Sequence, residues 1–132
     1  MKIEDHLNAY EEHKDAISWA IDRGLEKSQR IVGFHCSRAV IELLSAYLHK
    51  INIIEIGFQI NHRWFKSEKI SERFSDFSKK DLIIEKIIKL ELQSENLIYG
   101  SQKTEKEIKD VLFIFNEIDK ILNNLMENKN EK

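Results

Sequence analysis

No proline occurs anywhere in this chain of 132 residues, and its glycines stand only at 24, 33, 57 and 100. A domain built of strands needs frequent tight turns, which draw on glycine and proline for geometries that other residues resist. With so few breakers, the sequence predicts a handful of long helices. Apolar residues make up 42% and charged residues 33%, a balance that supports one buried core and argues against disorder. Residues 1–132 therefore read as a single domain. The lone cysteine, Cys36, excludes an internal disulfide and a cysteine-built zinc site, and fits a reducing, cytoplasmic compartment. The opening MKIEDHLNAYEEHKD lacks the apolar core of a secretory leader, and no stretch approaches 18 uncharged apolar residues, so neither export nor a membrane partner is expected.

Hydrophobic periodicity outlines four helices. Ile3, Leu7, Tyr10, Ile17, Ile21 and Leu25 form one stripe, with acidic residues toward its start as the helix dipole prefers. A second helix from about Ser28 to Asn52 turns Val32, Cys36, Ala39, Val40, Leu43, Leu44 and Tyr47 inward, and its small Gly33 and Ala39 permit close approach. From Ile53 to Lys80 the pattern weakens; IIEIGFQI has no second strand to pair with, and NHRWFKSEKISERF predicts a short extra helix. A third helix over 81–99, capped by Ser78 or Asp81, ends at Gly100, placed for a left-handed C-terminal residue. Thr104 and Glu107 have capping-box spacing before a fourth helix that carries Ile108, Val111, Phe115, Ile118, Leu122 and Leu125, with a fraying tail from about 127. Mostly short joints predict an all-α, antiparallel up-and-down four-helix bundle, with the short extra helix between helices 2 and 3.

The net charge of -2 excludes a uniformly basic nucleic-acid binder. Residues 28–80 nevertheless carry 9 basic and 5 acidic groups between two acidic ends, so the middle of the chain is either an anion-binding face or a partner for its own acidic helices. No phosphate-loop, dinucleotide, zinc-protease or serine-hydrolase motif is present. His35, Glu42 and His49 share a helix face, but seven residues span about 10.5 Å, too far for one ion, so no metal or other cofactor is expected. His35, Arg38 and Glu42 project to one side, as an interhelical polar network in which Arg38 and Glu42 neutralise each other or as a ligand site. Asn61-His62-Arg63-Trp64-Phe65 is the densest polar-aromatic cluster, either a lid on the open end of the bundle or a base-stacking platform. Trp19, Trp64, Phe65, Ile83 and Phe113 exceed one apolar stripe, which predicts a homodimer that covers them.

The second-helix segment GFHCSRAVIELLSAYLHKI, with Phe34, His35, Ala39, Glu42, Leu43, Leu44 and Lys50, resembles a signature of the HEPN family, the higher eukaryote and prokaryote nucleotide-binding domain. LELQSENLIYG followed by KTEKEIKDVLFIFNEIDKIL is similar to that family's junction between the third and fourth helices. The resemblance covers most of the chain in order and implies a helical bundle, commonly a homodimer, often beside a nucleotidyltransferase partner. Some members are metal-independent ribonuclease toxins, with Arg and then His at that junction. Here Glu95-Asn96 and Tyr99-Gly100 stand there instead. A carboxylate repels phosphate, and a phenol, ionising near about pH 10, is a poor general base. The resemblance therefore implies a module without catalysis that works through protein partners or by binding nucleotide or RNA, with Glu95, Asn96 and Tyr99 among the candidate binding residues. The rival expectation is a ribonuclease that uses Arg38, His35 or His62-Arg63 instead, and a third is a dimeric scaffold.

Overall fold

The computed structural model describes residues 2–127, so the tail expected beyond 127 lies outside the described residues. Among these residues there is no strand. Four long helices follow in order: α1 (Ile3–Arg23), α2 (Gln29–Lys50), α3 (Lys80–Tyr99) and α4 (Glu105–Glu127). Three short 3-10 segments, Leu25–Lys27, His62–Lys66 and Glu68–Arg73, lie in the connections.

The core is organised by α2, of whose 22 residues 15 are buried. It packs against α1, α3 and α4, while α3 also packs on α4. Side chains join α1 to α4: the Tyr10 hydroxyl donates to Asp119, and Asn123 donates to Tyr10 at 3.2 Å. By length and composition α2 is apolar enough to cross a bilayer, which the sequence alone did not suggest. Its apolar surface is enclosed by the other helices, as in the core helix of a folded domain.

At Gly33 the α2 backbone meets α3 so closely that an added Cβ would lie 2.9 Å from both Leu97 Cβ and the Ser94 carbonyl oxygen. The capping box holds: Glu107 N–H donates to Thr104 Oγ1 at 3.2 Å, and Thr104 N–H donates back to Glu107 Oε1 at 3.2 Å. Two other ends differ from expectation. The residue before α3 is Lys79, in a left-handed conformation (φ 60°), so neither Ser78 nor Asp81 occupies the cap. Gly100 has φ -86° and is not left-handed; a side chain there would strike the Asn96 carbonyl oxygen, so space, not dihedral freedom, calls for glycine.

Between α2 and α3 the expected short helix takes the form of two 3-10 segments. Asn61 Oδ1 accepts from Arg63 N–H at 2.8 Å, and Ser67 Oγ accepts from Lys69 N–H at 3.4 Å. These side chains restart the backbone at each turn and compete with a continuous helix. This connection also absorbs apolar surface that sequence reasoning assigned to a subunit contact. Phe65 and Ile83 are 0% exposed within one chain and Trp64 is half-buried, which leaves Trp19 and Phe113 exposed.

Alanine in a helix interior is ordinarily better than glycine by about 1 kcal/mol. At Gly33 the order should reverse, because the added methyl must push α2 from α3. Gly33→Ala is expected to lose about 1–3 kcal/mol of stability by urea unfolding; an unchanged or raised midpoint would show that α2 and α3 are not this close.

Candidate functional site

The site begins with a carboxylate where the fold has least room for one. Glu91, on α3, is 6% exposed, and a buried charge is stable only when its oxygens are held. Ser37 Oγ on α2 donates to Glu91 Oε1 at 2.7 Å, and His62 Nδ1, from the connection, lies 2.8 Å from Oε2. An ionised carboxylate only accepts, so His62 Nδ1 carries the proton. In the neutral ring, Nε2 then keeps its lone pair, and it has no hydrogen-bond partner among the described residues. Arg38 Nη1 donates to Ser37 Oγ at 3.1 Å. It also lies 3.4 Å from His62 Nδ1, but both are donors, so this is a contact and not a hydrogen bond.

The Arg38 guanidinium lies 4.5 Å above the Phe34 ring. Among the described residues no carboxylate comes within ion-pair distance of Arg38 or of exposed Arg63. Burial depresses the Arg38 pKa, the nearby Glu91 charge raises it, and the neighbouring Arg63 lowers it again. Arg38, His62 and Arg63 form a ridge between two cavities. The larger, about 630 Å³, has Phe34 and Trp64 on its walls with the Gln59 and Asn61 amides. The smaller, about 250 Å³, has Ser37, Glu91, Ser94, Glu95 and Tyr99 on its walls.

The structure thus unites three candidates from the sequence, Arg38, His62 and Arg63, and separates others. Glu42 borders the large cavity but holds His6 Nδ1 at 2.7 Å, so the expected pairing with Arg38 is replaced by one with α1. His35 pairs with His13, which borders the large cavity, and is not itself on that cavity's wall. Glu95 sits on the rim of the small cavity, paired with Lys66 at 2.6 Å, and Tyr99 is 77% exposed beside it. Asn96 faces a different hollow, with Lys103 and Glu107 toward α4. Of the aromatic cluster, Phe65 closes the core, whereas Trp64 is a cavity wall, its ring covered by Arg73 at 4.2 Å. Sequence reasoning gave no role to Ser37 or His13, nor did it mark Glu91 as part of the site, although that carboxylate falls on an inward stripe in register with Ile84 and Ile87. Among the described residues no three His, Cys, Asp or Glu side chains converge as a metal site requires. No family model, no curated protein and no solved structure matches this chain.

Four of the five histidines line the α1–α2 boundary. His6 and His49 stack, with centroids 5.2 Å apart, and His13 Nδ1 lies 2.8 Å from His35 Nδ1. One Nδ1 of that second pair must donate and the other accept, so both rings cannot carry a proton on the facing nitrogens. Burial lowers the pKa of His13, His35 and His49; the partner ring reinforces this for His13, Arg38 for His13 and His35, and His6 for His49. Glu42 opposes the shift at His13, and a hydrogen bond with the Ile54 backbone opposes it at His49.

A lowered histidine pKa means that the unfolded chain takes up protons first as pH falls. This stability is fully present above the unfolded value of about 6.5 and is lost as pH falls from there toward the folded values. Urea unfolding at about pH 7.5 and about pH 5 should therefore show lower stability at the acidic value, and His13→Asn should flatten the difference. Equal stability at both would remove the histidine pairs as the cause.

Proposed function

We propose that this chain is a HEPN-like helical module, with α1 to α4 as an antiparallel up-and-down bundle, that binds the phosphate of a nucleotide or single-stranded RNA without cleaving it. One observation carries this reading: two guanidinium groups, one half-buried, share a ridge between two cavities with no carboxylate in ion-pair reach among the described residues. Taking a cation out of water without a counter-ion is unfavourable, and a phosphate that accepts several guanidinium hydrogens offsets it. The larger cavity has the volume of an ordinary small-molecule site. Its aromatic walls suit a base face and its amides a base edge. The short joints at 24–28 and 100–104 support antiparallel neighbours.

The absence of cleavage follows from the residues at the end of α3. Glu95 and Tyr99 stand where the resemblance places a cation and an imidazole, and the Glu95 carboxylate is engaged by Lys66. The resemblance also implies a nucleotidyltransferase partner. Exposed Trp19 (55%) and Phe113 (64%) support a homodimer, and light scattering at high concentration should give a mass about twice the 15.7 kDa chain; the chain mass alone would overturn the dimer.

A second reading has its own support. His62 is oriented by Glu91 and lies beside Arg38, which are the parts a metal-independent ribonuclease needs in a base and a phosphate clamp. One assay addresses both readings. A fluorescent single-stranded RNA, incubated with the protein and a chelator, should bind by anisotropy and stay intact. Arg38→Ala and Arg63→Ala should each weaken binding by about tenfold, from loss of a charge-assisted contact. No binding would overturn the proposal, and cleavage abolished by His62→Gln would establish the second reading in its place.

A further inference from the structure

The two cavities flanking the ridge differ in chemistry. The larger is walled mainly by aromatic and amide side chains, and its one carboxylate, Glu42, is held by His6. The smaller has two carboxylates on its wall, Glu91 with both oxygens engaged and Glu95 on the rim paired with Lys66. Beside them, Ser94 is 1% exposed and its hydroxyl has no hydrogen-bond partner among the described residues. Arg38, His62 and Arg63 border both spaces, so a phosphate held by the ridge has one side toward each.

We propose that the small cavity is a second subsite that takes a neutral, hydroxyl-bearing sugar, so that the ligand is a phosphodiester with a nucleoside on either side and not a mononucleotide. This rests on the phosphate reading above and goes beyond it. A phosphate monoester carries about 1.5–2 negative charges near neutrality. With its nucleoside in the large cavity, it turns terminal oxygens toward Glu91 and Glu95, where like charges repel at short range. A diester carries a single charge and presents an esterified oxygen and a sugar on that side. Sugar hydroxyls donate to carboxylate oxygens and exchange hydrogen bonds with a serine, which is what this wall offers. The volume of about 250 Å³ is small for a complete ligand, though adequate for one such group.

Overall charge attraction to the ridge predicts the opposite order, because the dianion is drawn more strongly to two guanidinium groups. Relative affinity therefore tests the subsite. Titration calorimetry would compare adenosine 5′-monophosphate, adenosine 3′-monophosphate and the dinucleoside monophosphate ApA against the intact protein. ApA is expected to bind at least about tenfold more tightly than either monophosphate. Glu95→Gln should tighten the monophosphates several-fold and weaken ApA modestly, since a sugar hydroxyl loses a charged acceptor, and both effects narrow the gap. Arg63→Ala should weaken all three. If a monophosphate binds as tightly as ApA, the subsite is overturned while the phosphate reading stands. If none of the three binds, and RNA does not either, the phosphate reading itself fails and this inference with it. A gap that Glu95→Gln leaves unchanged would also overturn the proposal, since the carboxylate would then play no part in the choice.

Discussion

A helix that is apolar around most of its circumference cannot rest on the surface of a protein, and α2 is such a helix. Burying one stripe needs one neighbour; burying residues from Val32 through Leu48 on nearly every side needs neighbours all round. α1, α3 and α4 supply them, and the remaining sector is closed by the connection that follows α2, with buried Ile54, Ile60, Phe65, Ile70 and Phe74 in the same core. The connection is therefore part of the core and not an appendage. That placement brings His62 and Arg63, far from α2 in sequence, against Arg38 and Glu91.

Enclosure also determines the fate of the polar groups that α2 carries. Each one turned toward a neighbour requires a specific complement there, because an unpartnered buried polar group is destabilising. Ser37 is answered by Glu91 on α3, His35 by His13 on α1, and Glu42 by His6 on α1. Such pairings have fixed positions along their helices, so they define the register between α2 and its neighbours more sharply than interchangeable aliphatic contacts do. The close contact at Gly33 acts similarly, since it fits one position on α3, opposite Ser94 and Leu97.

What could be read from the sequence divides along the same line. Periodicity locates α1 to α4 because the apolar stripe is a property of each helix alone, and Thr104-Glu107 is legible as a cap because its partners are three residues apart. Partnerships between helices are not legible in that way. The spacing of Arg38 and Glu42 on one face suggested that they neutralise each other, yet a neighbour on α1 claimed Glu42. Lys79 and Gly100 differ from their expected roles for a related reason. The ends of α3 are set by what the connection and the next helix allow, and local cap preference yields to that. The homodimer argument lost Phe65 and Ile83, which the folded connection and α3 bury within one chain. In the 51–79 segment, short of periodicity, composition marked the polar-aromatic cluster at 61–65 as a lid or a binding surface, but nothing local showed which residues of α2 and α3 it would meet.

Glu91 accounts for the position of the candidate site and for its restraint. A cluster of two guanidinium groups and a lysine with no carboxylate would hold any polyanion, with little discrimination. On the proposed reading, Glu91 and Glu95 set more negative charge on the small-cavity side of the ridge than Glu42, held by His6, sets on the other, so the field is directional: attractive at Arg38 and Arg63, repulsive toward the small cavity. An anion that adds only charge gains little in such a field. One that places its charge on the ridge and neutral groups on both sides gains contacts from two cavities, its hydroxyls meeting the carboxylates while its charge does not. Retention then depends on shape and hydrogen bonding in both spaces as much as on charge, which suits a chain whose net charge is -2. On the proposed reading, the same carboxylate that ties α3 to α2 and to the connection is also what would make the site selective, because its burial keeps negative charge beside the ridge in a place where water cannot screen it fully.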